Sequence, residues 1–302
     1  MKIRPERLNV GDTVGLVALS SPIKLEALGD KLALLDELGL KYKIGQTIQS
    51  YNGYLAGSDE ERLEDFHQMI RDPEVKAVFL VRGGYGISRI IDKISYPLIE
   101  DHPKIIWGFS DGTTLHTQVN EYSNLVTFHG PMLSSPTGEL DELSKKMFQQ
   151  LFMPMEIQYG ENISPLRTIV PGAVRGEITG GNLNRLVSTL GTKFEVDVRN
   201  KVVLLEDMGE SLEQIDNMMN QLRLSRKLEL AAGFMIGDFN MLGSSGEEEV
   251  LNVIGGYLKP LNKPTIAGFK IGHCEPNIAV PLGVDVILNA DEKYVRVLPG
   301  VE

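Results

Sequence analysis

The stretch KIIWGFSDGTTLHTQ, residues 104–118, puts Ser110 between Gly108 and Gly112, where an apolar run gives way to a helical pattern. Two readings of that serine compete. Small residues suit a sharp turn, with the hydroxyl as filler or helix cap. The same G-x-S-x-G spacing also describes a nucleophile elbow, whose tight strand-to-helix geometry lifts a hydroxyl clear of its neighbours. A nucleophile would need a base, a group to orient that base and donors for an oxyanion.

Each requirement has more than one candidate. The loop Arg82-Gly83-Gly84-Tyr85-Gly86 follows another apolar run, and its glycines would let backbone N–H groups approach a substrate oxygen. A tight strand-to-helix turn or an anion-binding loop explains it equally well. It lacks the third glycine of the dinucleotide fingerprint, since Arg89 stands there, and no Lys-Ser or Lys-Thr pair follows as in a P-loop. Of the five histidines, His67 and His102 read as surface or boundary residues, and His116 as a residue of the helix after Ser110. His129 in TFHGPM and His273 in KIGHCEPN each end a strand-like run, so both are candidates for base or for structural hydrogen bonding. The run KVVLLEDMGES ends in Glu206 and Asp207. A carboxylate there costs desolvation unless paired, and alternate strand residues point to opposite faces, so one of the two can face a common site. Solvated loop acids or a contact with the following helix dipole form the plainer reading. Cys274 beside His273 does not make a dyad, because no elbow surrounds it.

Positioning such groups falls to a repeated strand–helix pattern. Val14 to Leu19 reads as a strand, with Ser21 and Pro22 as cap and first helical position before Leu25, Leu28, Leu32, Leu35 and Leu38 at helical spacing. Ser58 with Glu61 reads as a capping box opening a helix that ends near Asp72 and Pro73. Lys76 to Val81 is a strand, Ile87 onward a helix, and Lys104 to Trp107 the strand feeding Ser110. Alternation of this kind predicts an α/β domain with a mostly parallel, Rossmann-like sheet covered on both faces, functional groups gathering at the carboxyl ends of its strands. Prolines and little periodicity between Met153 and Val174 suggest a linker. Beyond it, Val202–Leu205, Gly233–Ile236, Thr265–Ile271 and Val284–Leu288 read as strands, with one clear helix from Ser211 to about Leu224. The pattern describes a smaller α+β unit, and the expected division is residues 1–160 and 161–302.

Bulk properties narrow the partners. A chain of 302 residues is longer than one core usually fills. A formal charge of −11 without Lys/Arg runs argues against nucleic acid and anionic membrane surfaces. The first residues hold no signal-type apolar segment and no window nears the ~18 apolar residues of a spanning helix, so a cytoplasmic protein is expected. A single cysteine leaves no disulfide framework or Cys-rich zinc site, and no histidine pair has H-E-x-x-H spacing.

Taken in order, YLAGSDEER, VFLVRGGYG, WGFSDGTTLH, FHGPM, GGNLNRL, LLEDMGES and GHCEPNIAVPLG resemble the LD-carboxypeptidase family of serine peptidases, which also contains microcin-immunity peptidases. The resemblance spans nearly the whole chain. It implies a Rossmann-like nucleophile domain, a mainly β C-terminal domain and a triad completed between them. Carried onto this sequence, it makes Ser110 the nucleophile, Glu206 the orienting carboxylate and His273 the base, with the backbone amides of Gly84 and Asp111 as oxyanion donors. It also implies a homodimer, and the serine chemistry needs neither metal nor organic cofactor. The expected substrate is a small murein peptide cleaved between an L-centre and a terminal D-Ala. Arg82 is the candidate to hold its carboxylate. Two alternatives remain: cleavage of aminoacyl adenylate mimics, which would want an aromatic platform, and a noncatalytic small-molecule binding protein. Trp107, the single tryptophan, reads as core rather than platform.

Overall fold

The computed structural model describes residues 2–133, 140–240 and 246–302. Two sheets organise them. The first contains β1 (Thr13–Val17), β2 (Lys41–Ile44), β3 (Val75–Leu80), β4 (Ile105–Gly108) and β5 (Thr127–His129), all parallel, in the order β5-β4-β3-β1-β2. Helices α1 (Leu25–Glu37), α2 (Asp59–Arg71), α3 (Tyr96–Asp101) and α4 (Gly112–Tyr122) connect these strands. The second half supplies α5 (Glu142–Lys146), β6 (Ile157–Tyr159), β7 (Arg167–Val170), β8 (Ala173–Asn182), α6 (Leu183–Val187), β9 (Val202–Met208), α7 (Leu212–Leu224), α8 (Lys227–Leu230) and β10 (Gly233–Asn240). After them come α9 (Glu247–Leu258), β11 (Thr265–Ala267), β12 (Val280–Leu282), β13 (Asp285–Asn289) and β14 (Tyr294–Val297). In the second sheet, β8, β9, β10 and β11 form a parallel centre. Antiparallel β7 flanks it on one edge, and β13, β14 and β6 flank it on the other.

The sheets exchange strands. β12 pairs antiparallel with β5, placing Val280 opposite His129 at the edge of the first sheet, while β6, which precedes residue 161, belongs to the second. Helix α4 lies between them, packed on β5 and β8. Every residue from Gly112 to Asn120 is buried, because a helix with sheets on two sides has no wet face over those turns. The Asn182 amide donates to the Thr113 hydroxyl at 3.0 Å, tying the end of β8 to α4.

Local chemistry explains most boundaries. α2 opens with the reciprocal Ser58–Glu61 capping box and stops at Asp72, and Ser211 with Gln214 does the same for α7. The reading departs from the structure in several places. α1 begins at Leu25 with Lys24 as its uncapped N-cap, so Ser21 and Pro22 sit in the preceding loop. After Ile87 there is a single 3₁₀ turn, Ile87–Arg89, whose first amide donates to the Asp111 carboxylate. The stretch read as a linker contains β6 and β7, and the strand expected to reach Ile271 stops at Ala267. α9 is a second long helix of the C-terminal half, where paired glycines at 255 and 256 mask an apolar face of Val250, Leu251, Ile254 and Leu258. His67 is buried rather than superficial, its Nε2 accepting the Ser95 amide at 3.0 Å. Trp107 is 1% exposed, packed among Phe79, Phe128 and Phe148, with Nε1 donating to the Pro131 carbonyl. No helix among the described residues is long and apolar enough to cross a membrane.

Candidate active site

Ser110 occupies the turn between β4 and α4 with φ of 62°, a left-handed conformation that a non-glycine residue adopts at a cost. The turn is fixed by Gly112 N–H donating to the Phe109 carbonyl and Thr113 N–H to the Ser110 carbonyl, both at 3.0 Å. The serine hydroxyl therefore projects from the carboxyl end of β4 instead of following the helix. His273 lies in the connection from β11 in the second sheet to β12 in the first, and its Nε2 is 3.1 Å from Ser110 Oγ. On the far side of the ring, Nδ1 is 2.8 Å from Glu206 Oε2. Glu206 and Asp207 end the apolar part of β9. Glu206 is fully buried and turned toward the histidine, while Asp207 accepts from the Asn184 amide and from Asn182 Nδ2 at 2.9 Å each. That division follows from strand alternation.

The electrostatics suit proton transfer. Burial works to lower the pKa of His273, but the charge of Glu206 and its hydrogen bond outweigh that effect, so the imidazole sits above its usual value. With Nδ1–H committed to the carboxylate, the neutral ring presents its Nε2 lone pair to the serine hydroxyl. Asp207 is pushed up to about 6 by burial and by the charge of Glu206. The Phe109 ring packs 4.7 Å from that of His273 and 5.7 Å from that of His129, centroid to centroid. His129 itself is fully buried, with neither ring nitrogen hydrogen-bonded among the described residues, and burial drives its pKa well below the ordinary range. His116 Nε2–H donates to the Gly108 carbonyl, 2.8 Å away, behind the turn, and burial lowers its pKa to about 4. Cys274 is half-buried with its pKa raised, chiefly by burial, and its thiol donates to the Pro276 carbonyl.

The glycine loop passes directly over the serine. A Cβ on Gly83 would stand 2.8 Å from Ser110 Oγ, so the loop cannot carry a larger residue there without moving. Neither the Gly84 nor the Asp111 amide donates a hydrogen bond among the described residues. Asp111's buried side chain fastens loop to turn: Oδ2 accepts from Ser20 Oγ at 2.7 Å and from the Ile87 amide at 2.9 Å. Arg62, also buried, donates to the Leu19 and Gly86 carbonyls from the other side. Arg82 is exposed, and its Nη1 donates to the Pro22 carbonyl at 2.6 Å.

These groups open onto a cavity of about 820 Å³, toward the upper end of the range for small-molecule sites. Arg82, Gly83, Gly84, Ser110 and His273 line one part of it; Asn182, Asn184, Arg185, Asp207 and Glu210 line another. The second set, Asp207 apart, was not singled out from the residues, although GGNLNRL was part of the family pattern. Its signal was the asparagine after two glycines, which caps α6 by accepting the Arg185 amide and so points the residues behind it at the cavity.

Comparison with known proteins agrees with this layout. The model for the LD-carboxypeptidase N-terminal domain matches residues 14–130, and that for the LD-carboxypeptidase C-terminal domain matches residues 175–288. A probable murein peptide carboxypeptidase of Bacillus subtilis is 46% identical over 306 residues, covering 100% of this chain and 96% of that one. Among solved structures, the microcin C7 self-immunity protein MccF in its wild-type apo state superimposes with a TM-score of 0.89 at 23% identity, over 98% of both chains. A muramoyltetrapeptide carboxypeptidase from Oxalobacter formigenes gives 0.83 at 22% identity, over 94% of this chain and 97% of that one. With both domain models matched in order and a relative so similar over its full length, this chain belongs to the LD-carboxypeptidase family.

Proposed function

We propose that the chain is a serine carboxypeptidase that releases the terminal D-Ala from murein tetrapeptides, with Ser110 as nucleophile, His273 as general base and Glu206 as its orienting carboxylate. The observation that carries the reading is the relay from Ser110 Oγ to His273 Nε2 at 3.1 Å and from His273 Nδ1 to Glu206 at 2.8 Å, at the mouth of the 820 Å³ cavity. In this reading Ser110 Oγ attacks the carbonyl carbon of the last peptide bond while His273 takes the hydroxyl proton. The Gly84 and Asp111 amides receive the charge on the carbonyl oxygen. His273 then protonates the departing amine of D-Ala, and a water deprotonated by the same ring releases the acyl group. Glu206 keeps the ring in the productive tautomer and stabilises the imidazolium. The residues present complete this cycle with no metal or organic cofactor.

Murein peptide is favoured as substrate by the 46% identical relative bearing that name. A carboxypeptidase must hold a free carboxylate beside the scissile bond, and two guanidinium groups, Arg82 and Arg185, line the cavity. The reading places the protein in the cytoplasm, where recycled murein peptides are met, as a homodimer of the family type.

The deciding experiment offers the purified protein a murein tetrapeptide ending in D-Ala, the same peptide ending in L-Ala, and an aminoacyl sulfamoyl adenylate, with products followed by mass spectrometry. Loss of one D-Ala from the first compound alone is expected, and Ser110→Ala should lower the rate by roughly 10³-fold or more. Cleavage of the adenylate mimic with the tetrapeptide intact would transfer the protein to the immunity branch. Saturable binding without any product would leave a binding protein.

A further inference from the structure

Arg185 is the cationic group built most firmly into the cavity. It belongs to α6, held by the Asn182 cap, which is itself anchored to Asp207 and, through its backbone amide, to Thr113 of α4. Its side chain is only 17% exposed, in contrast to the exposed Arg82. Nη1 faces Asp111 Oδ1 at 3.4 Å, Nη2 donates to Asn184 Oδ1 at 2.7 Å, and the guanidinium lies 5.7 Å from the centre of the Tyr85 ring in the glycine loop. Two of its five N–H donors are thereby committed, leaving three without a protein acceptor among the described residues.

The pairing with Asp111 is incomplete. That carboxylate is fully buried and already accepts from Ser20 and from the Ile87 amide, and the 3.4 Å approach of Arg185 is long for a charge-assisted bond. A partly desolvated guanidinium with spare donors, next to the residue that follows Ser110 and against the loop over Ser110, is poised for an anion one residue beyond the bond being cut. We infer that Arg185 binds the C-terminal carboxylate of the substrate and thereby sets the preference for the final peptide bond. The inference rests on the carboxypeptidase reading and deepens it by selecting Arg185 over Arg82. Arg82, exposed and turned to the Pro22 carbonyl, is weakened by solvent screening and has less fixed geometry.

The test separates this role from the activity itself. In protein carrying Ser110→Ala, affinities for the D-Ala tetrapeptide and its C-terminal carboxamide are measured by calorimetry, alone and with Arg185→Gln or Arg82→Gln added. Arg185→Gln should weaken the free acid by roughly 10- to 100-fold and the amide by less than about 3-fold, so that preference for the acid collapses. A purely structural role through Asp111 would lower both ligands equally. That result overturns the inference, as does a collapse produced by Arg82→Gln instead, or no measurable binding of the tetrapeptide. Should Arg185→Gln fail to fold, Arg185→Lys decides, because it keeps the charge toward Asp111 and loses the fork. Preference should then fall by about 3- to 10-fold, and an unaltered ratio overturns the inference. Release of D-Ala by the parent chain is scored separately, so an intact tetrapeptide there defeats the activity while the binding ratio still judges Arg185.

Discussion

In the proposed relay, the chemistry of His273 turns on Glu206. It is fully buried, and its Oε1 has no hydrogen-bond partner among the described residues, so its charge is directed at the imidazole through Oε2 alone. Because Glu206, with smaller contributions from the charges of Asp207 and Asp238, raises the pKa of His273 against burial, the ascending limb of the pH–rate profile should lie above 6.5, the ordinary histidine value. Glu206→Gln removes the charge and keeps the shape. The limb should then move to lower pH, since the largest charge opposing burial is gone, and kcat should fall by about 10³- to 10⁴-fold. A limb that stays in place, measured as kcat/KM from pH 5 to 9, would remove Glu206 from the relay. The residue types were legible in the sequence, but the choices between His129 and His273, and between Glu206 and Asp207, rested there on family resemblance. The structure supplies a physical distinction: His129 is sealed in the interior with a strongly lowered pKa, while His273 lines the cavity.

At the level of elements, the connection from β11 to β12 must deliver His273 without obstructing Glu206. Gly272 has φ of +115°, and a Cβ there would collide with Glu206 Oε2 and stand 2.8 Å from Glu206 Cγ. Gly272→Ala should therefore cost roughly 1–3 kcal/mol in urea unfolding and lower kcat by about 10²-fold, by straining the backbone and displacing the carboxylate. Gly29→Ala is the matching control: it lies within α1 with open space at its Cβ and should stabilise by about 0.5–1 kcal/mol without affecting kcat. Equal stability and kcat for Gly272→Ala and the parent would show that this loop tolerates a side chain. Elements with a strong local signal, such as the capping boxes of α2 and α7, were readable in advance. In place of the helix expected after Ile87 stands a single 3₁₀ turn, whose first amide donates to Asp111, 24 positions away.

Across the whole molecule, each protomer carries a formal charge of −11, so like-charge repulsion opposes self-association and salt should favour it. The proposed homodimer should sediment near twice 33.4 kDa and hold together better at 0.3 M than at 0.02 M salt. A monomer at all protein concentrations would withdraw that part of the reading. Composition and periodicity determined on their own that the chain is α/β, with a mostly parallel first sheet and a sharp strand-to-helix turn at Ser110, because strand and helix periods and turn glycines are local properties. Local pattern could not determine that β12 leaves the second half to pair with β5, that α4 is buried between two sheets, or that Arg185 faces Asp111. The ties between the two halves join residues from 69 positions apart, as with Thr113 and Asn182, to 163, as with Ser110 and His273. Their energy comes from burial and hydrogen bonds formed only when both sheets are in place, so tertiary structure alone decided which polar side chains share the cavity.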